Sequence, residues 1–297
     1  MRKQQFQPRY AQQKNQIMKR YDPNSCRIDM LFHYTSLEKL ALILKNRTIR
    51  LNPLNKMDDK QEQRTADVPN IGKFVFVSAW TAEKDESIPM WMMYTDSKAG
   101  VRIGLPPNPF RRHKITKENA EKHGLQFKAE EGDPTELDCF LDPLEMMSKG
   151  YVSPQAMGGN ILFKVQYTND KNLLEPKVKE IDGEKITGYL GKLGKHKNTY
   201  WSFQKEWRYL MQFIPMKLSN PERMEKEAIV TTNRMLAGLQ DAPIDYYDLE
   251  IDPESFSKME IVISPQMTKG NQVLLDSLVE KYNPSANIKQ SALLNLI

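Results

Sequence analysis

Met30-Leu31-Phe32-His33-Tyr34-Thr35-Ser36-Leu37-Glu38-Lys39-Leu40-Ala41-Leu42-Ile43-Leu44 contains a change of hydrophobic period that sets the fold class. Residues 30–34 form a short apolar and aromatic run of strand type. Thr35 and Glu38 follow at capping-box spacing, which predicts a helix start. Leu37, Leu40, Ala41 and Leu44 then recur at helical intervals, one buried stripe of a short helix. A strand feeding directly into a helix is the first unit of a mixed domain.

Further units follow on the C-terminal side. Residues 48–51 read as a second strand and residues 52–72 as a polar surface loop. Residues 73–80 lack polar alternation, so a central strand is predicted. Pro89 suits the first turn of a short helix over 90–94. Residues 99–105 and 161–167 alternate as strands, and 106–158, rich in proline, glycine and charge, predict a loosely helical insertion. A helix is expected over 183–203, weakened by Gly188, Gly191 and Gly194. Residues 205–214 form a strand with Trp207, Tyr209, Met211 and Phe213 on one face and Glu206, Arg208, Leu210 and Gln212 on the other. Strands at 246–251 and 258–264 and an amphipathic helix at 272–282 close the chain. The fold class is α+β, a mixed or antiparallel central sheet with flanking helices.

The chain has 297 residues, 39% hydrophobic and 27% charged, enough for one large core. We divide it into a basic helical arm, 1–25, and a single α+β domain, 26–297. No window is apolar enough for a membrane span, and the N-terminus lacks the apolar stretch of a secretory signal. Cys26 and Cys139 are too few for a disulfide framework, so a reducing cytoplasm is expected. The net charge of +5 is localised: Arg2, Lys3, Arg9, Lys14, Lys19 and Arg20 face no acid within residues 1–20. The remainder holds 37 basic and 38 acidic residues. Such an arm attracts polyanions through counterion release. Phe6, Tyr10, Ile17 and Tyr21 near one face suit either a nucleic-acid or protein contact or docking onto the body.

Neither glycine-rich phosphate loop is present, nor H-E-x-x-H, nor G-x-S-x-G, which removes several nucleotide, zinc and serine chemistries. Three residues remain as candidates. His33 ends a strand beside a helix start, Glu206 lies on the face opposite the aromatic stripe, and Tyr94 ends a helix too rich in large side chains to be wholly buried. Asp58, Asp59 and Glu62 form an acidic group that supports a rival metal-dependent nuclease.

In order along the chain, several short motifs resemble a bacterial family, domain of unknown function 2971. They are Leu31-Phe32-His33-Tyr34-Thr35-Ser36, Asp58-Asp59-Lys60-Gln61-Glu62, Phe76-Val77-Ser78, Met90-Trp91-Met92-Met93-Tyr94 with Gly100-Val101-Arg102-Ile103, Lys205-Glu206-Trp207-Arg208, and 261–265. The second departs from the family form at Asp58 and Lys60. That family is distantly similar to DarT-like ADP-ribosyltransferases, which carry a histidine, an aromatic and a glutamate in this order. The resemblance implies an ADP-ribosyltransferase-like fold with NAD as substrate and no metal. It implies Glu206, Tyr94 and His33 as catalytic residues, and His33, Tyr34, Thr35, Arg50, Ser78, Trp91 and Tyr94 as NAD-binding residues. It also implies a toxin or antiphage effector that modifies nucleic acid; an active enzyme of that kind would poison its own host, so a neutralising protein partner is expected. The alternatives are a non-catalytic module recognising nucleic acid or a phage component, and the nuclease.

Overall fold

The computed structural model describes residues 28–116, 118, 136–156, 159–183, 185–216 and 221–296; the arm at 1–25 lies outside them. One nine-stranded sheet organises the molecule. Its strands are β1 Leu31–Ser36, β2 Thr48–Pro53, β3 Val75–Thr81, β4 Gly100–Leu105, β5 Leu162–Lys164, β6 Glu206–Gln212, β7 Tyr247–Glu250, β8 Glu260–Ile263 and β9 Asn287–Lys289. The path runs β7-β2-β3-β1-β4-β8-β9, with β6 also pairing β3 and β5 pairing β6. All pairs are antiparallel except β8 with β9. The helices that matter to the site are α1 Leu37–Asn46, α2 Ile88–Tyr94, α3 Pro221–Leu236 and α4 Lys269–Tyr282. The fold is therefore α+β with a mixed, mainly antiparallel sheet.

The opening unit forms one residue later than expected. Thr35 stays in β1, opposite Val101. Ser36 is the N-cap and accepts from the Lys39 amide at 3.3 Å. Leu37, Leu40 and Leu44 are buried. They pack with Leu31, Ile103, Trp80, Tyr209 and Leu275 in the principal core.

Strand β3 divides its neighbours unevenly. Along one edge it pairs β6 from Thr81–Glu206 to Val75–Gln212. Along the other, β2 takes Phe76 and Val77, and β1 takes only Thr81, opposite Phe32. The two strands part at Ala79. His33 Nδ1 lies 2.7 Å from the Ala79 carbonyl oxygen, filling the fork. A carbonyl only accepts, so Nδ1 carries the proton.

Two expectations are corrected. Residues 183–203 do not form the one α-helix expected: they give the second strand of a hairpin (Lys179–Asp182 with Lys185–Gly188), a 3-10 turn at Leu190–Lys192, the strand His196–Asn198 and a short 3-10 helix at Thr199–Gln204. Glycine supplies the reason, since Gly183 and Gly194 adopt φ of 58° and 73°, values that no helix interior tolerates. Residues 106–158, expected to be loosely helical, mix strand with helix where described, and Phe110, Phe140, Leu141, Met146 and Tyr151 belong to the principal core. The described part holds a hairpin, His113–Thr116 with Glu136–Cys139, a helix at Pro143–Lys149 and the short strand Tyr151–Val152. No helix among the described residues is long and apolar enough to cross a membrane.

Candidate functional site

Strand alternation decides which candidates meet. Residues aligned across a ladder share a face, and successive residues do not. Phe32, Thr81 and Glu206 align across β1, β3 and β6. Tyr34 and Arg102, two residues along, share their face, as do Ala79 and Arg208. His33, Thr35, Ser78 and Trp80 point the other way. The His33 ring lies 5.2 Å from that of Trp80, and Ser78 accepts the Trp80 indole N–H at 3.1 Å. His33 and Glu206 are thus on opposite faces of the sheet, and the expected three-residue cavity does not form. Burial holds the His33 imidazole below its ordinary pKa, so the ring is a neutral spacer between strands.

On the Glu206 face a connected polar cluster forms. Glu206 is 2% exposed. Its Oε1 accepts from Arg208 Nε at 2.5 Å. Its Oε2 accepts from Arg208 Nη2 at 3.2 Å and Lys197 Nζ at 3.0 Å. Lys197 also donates to Gln204 Oε1 at 2.8 Å, and Gln204 Nε2 donates to the Tyr94 hydroxyl. On the other side of Arg208, Nη1 lies 2.5 Å from Glu62 Oε2 and donates to the Gly194 carbonyl at 3.1 Å. Two acids and two bases are therefore neutralised within one dry volume.

Each position has a local cause. β5 ends at Lys164, and the Val165 amide bonds the Glu206 carbonyl at 2.9 Å. The chain then turns away, and Gln166–Thr168 pairs in parallel with His196–Asn198, which brings Lys197 beside Glu206. The Tyr167 hydroxyl accepts from the Glu206 amide at 2.8 Å. Lys205 adopts φ of 43°, an uncommon value for a residue with a side chain. It turns the backbone so that Gln204 and Glu206 both reach Lys197. Thr95 ends α2 and packs against Gly100, where a Cβ would lie 2.5 Å from the Thr95 side chain.

The charges respond to this packing. Burial pushes the Glu206 carboxyl up, and the charges and hydrogen bonds of Arg208 and Lys197 outweigh it, leaving it below the usual carboxylate range. Glu62 is raised, because burial outweighs Arg208 and Lys197 there. Its Oε1 has no hydrogen-bond partner among the described residues, nor does Oδ2 of buried Asp59. Burial raises the Tyr94 phenol, and the charges of Asp58 and Glu206 add to it.

The other expected residues fall as follows. Tyr34 and Trp91 are buried with Val262 under α2, their rings 5.0 Å apart. Tyr34 accepts from the Ser87 amide at 2.9 Å, and Trp91 donates to Glu86 at 2.9 Å. Arg50 does not join the cluster: its Nε and Nη2 donate to Asp248 at 2.8 Å each, and it stacks 3.6 Å over Tyr246 at the far edge. Asp58 is exposed while Asp59 and Glu62 are buried. Among the described residues no three His, Cys, Asp or Glu side chains are placed to hold a metal. Lys197 and Gln204 escaped the sequence reading, Lys197 because its segment read as helix.

Residues 90–209 match the family described as Protein of unknown function (DUF2971). The chain is DUF2971-like. The matched segment runs from α2 into β6 and carries Tyr94, Lys197, Gln204, Glu206 and Arg208. His33, the loop at 58–62 and residues 261–265 lie outside it, so the match is narrower than the span of the motifs read from the sequence. No curated protein and no solved structure gives a significant match.

Proposed function

We propose that this DUF2971-like chain transfers ADP-ribose from NAD, using the face that carries Tyr94 and Glu206 rather than the expected three-residue site. The supporting observation is that Tyr94 and Glu206 belong to one hydrogen-bonded chain, through Gln204 and Lys197. In the reaction the bond from ribose C1′ to the nicotinamide nitrogen breaks, and its electron pair leaves with nicotinamide. A bond from C1′ to the acceptor forms, and the acceptor loses a proton. Positive charge builds on the ribose in the transition state, where an ionised carboxylate held in a dry site is most effective. Glu206 is kept ionised by Arg208 and Lys197. Tyr94, half-buried with a polar tip, offers nicotinamide a stacking surface. In this reading His33 orders the strands and does not touch NAD. The acceptor is nucleic acid, as the charge of residues 1–20 suggests, the compartment is the cytoplasm that supplies NAD, and a neutralising partner protects the host.

The test uses labelled NAD with RNA, DNA and cell extract. Transfer by the wild type, its loss in Glu206→Gln and its reduction in Tyr94→Ala, with Tyr94→Phe retaining most of it, support the reading. Folded protein that neither transfers nor consumes NAD overturns it. A second reading, a non-catalytic recognition module, draws on the sealing of Glu206 by Arg208 and Lys197 at 2% exposure. It expects Glu206→Gln to change stability while leaving ligand recognition intact.

A further inference from the structure

Arg102 is the one buried arginine of the described sheet whose charge has no carboxylate. It is 5% exposed. Its Nη1 donates to the Lys84 carbonyl at 3.1 Å, and its Nε has no partner. The guanidinium lies 4.3 Å over the Phe32 ring and 5.8 Å from that of Tyr34. Arg208, also buried, is by contrast bound by both Glu206 and Glu62. An uncompensated buried cation is costly, whereas an aromatic stack and one carbonyl offset only part of that cost. Such a group is set up for an anion that arrives later. Access is close at hand, because Lys84 and Asp85, on the loop that Arg102 touches, are exposed.

We propose that Arg102 is the anchor of an anion site for a phosphate-bearing ligand, with Phe32 and Tyr34 as its aromatic wall. As an anion site it stands alone; naming its ligand as the diphosphate of NAD rests on the transferase reading. It then takes the role that the resemblance implied for Arg50, which Asp248 occupies. The sheet makes this span reasonable. Glu206, Thr81, Phe32 and Gly104 lie in one row across β6, β3, β1 and β4, and Arg102 is two residues from Gly104. Three strand spacings of about 4.8 Å and one two-residue rise of about 6.7 Å put the Glu206 and Arg102 backbones roughly 16 Å apart. Allowing for both side chains, the gap suits the ribose-to-diphosphate half of a dinucleotide.

The experiment compares thermal unfolding of the wild type and Arg102→Met with no ligand, with inorganic pyrophosphate, with ADP-ribose and with a single-stranded oligonucleotide. Arg102→Lys serves as the variant that keeps charge but loses the planar fork. A structural arginine would lower the melting temperature when replaced. The proposal expects Arg102→Met to melt at or above the wild-type temperature while losing at least tenfold in pyrophosphate and ADP-ribose affinity, with Arg102→Lys intermediate. Stabilisation by the oligonucleotide alone would assign the phosphate to nucleic acid and overturn the dinucleotide assignment. Destabilisation of ligand-free Arg102→Met, or equal anion affinity in both proteins, overturns the site. Anion binding through Arg102 without NAD consumption sinks only the transferase reading; NAD consumption undiminished in Arg102→Met sinks only this inference.

Discussion

Arg208 touches two carboxylates and a carbonyl while wholly buried, and its removal is the most informative single change to the cluster. Arg208→Met leaves Glu206 and Glu62 with Lys197 as their one nearby cation among the described residues, which should cost about 3–5 kcal/mol in urea unfolding. Glu62→Gln should cost clearly less, because Arg208 keeps both hydrogen bonds to Glu206. Acid sensitivity has a definite sign. The folded pKa of Glu206 lies below the unfolded value of about 4.3. Its stabilisation is therefore present above that value and is lost as pH falls through the lower folded value. Glu206→Gln should flatten the acid limb of the stability curve, and an unchanged limb would remove Glu206 from the account. Glu206 and Arg208 were placed on one face by alternation alone. Lys197 was not, because its approach depends on β5 breaking at Val165, and no local pattern records that break.

Element by element, long alternating runs were legible and fork points were not. β4 and β6 follow from period-two patterns and β1 and β3 from apolar runs without alternation, whereas the parting of β1 and β2 along β3 is a tertiary fact that leaves His33 bonding a carbonyl. Residues 183–203 carry a helix-like pattern that the positive-φ Gly183 and Gly194 interrupt, and such turn glycines are not distinguishable by sequence from helix-weakening ones such as Gly188 and Gly191. Helix α2, which carries Tyr94, has its own fastening. Glu86 accepts from the Trp91 indole at 2.9 Å, the Ser291 hydroxyl at 2.6 Å and the Ala292 amide at 2.7 Å. Leu293 packs against Tyr34, Trp91 and Val262. Glu86→Ala should release residues 291–296 locally at a cost of about 2 kcal/mol, without unfolding the sheet. Hydrogen exchange at the Ala292 amide should accelerate, and cleavage by a broad protease should begin near the C-terminus. Unchanged exchange there would show that the tail is held by Leu293 alone.

Over the whole molecule, charge is divided between a nearly neutral body and a strongly basic N-terminal segment. The positive excess lies in Arg2, Lys3, Arg9, Lys14, Lys19 and Arg20, while the remainder holds 37 basic and 38 acidic residues. Core formation and polyanion attraction should therefore be separable. The sheet draws its stability from apolar burial and from neutralised clusters, neither of which needs a net charge. Polyanion affinity instead depends on how many phosphates are neutralised and how many counterions are released. Removing residues 1–20 should leave the urea midpoint of the body close to that of the full chain. The same deletion should weaken single-stranded RNA or DNA binding and reduce the slope of log affinity against log salt by up to about 4, if all six cations meet phosphates. Fluorescence anisotropy between low and physiological salt measures that slope. An undiminished slope would move nucleic-acid contact from the arm to the body, with Lys195, stacked 4.5 Å over Phe163, as the first lysine to replace.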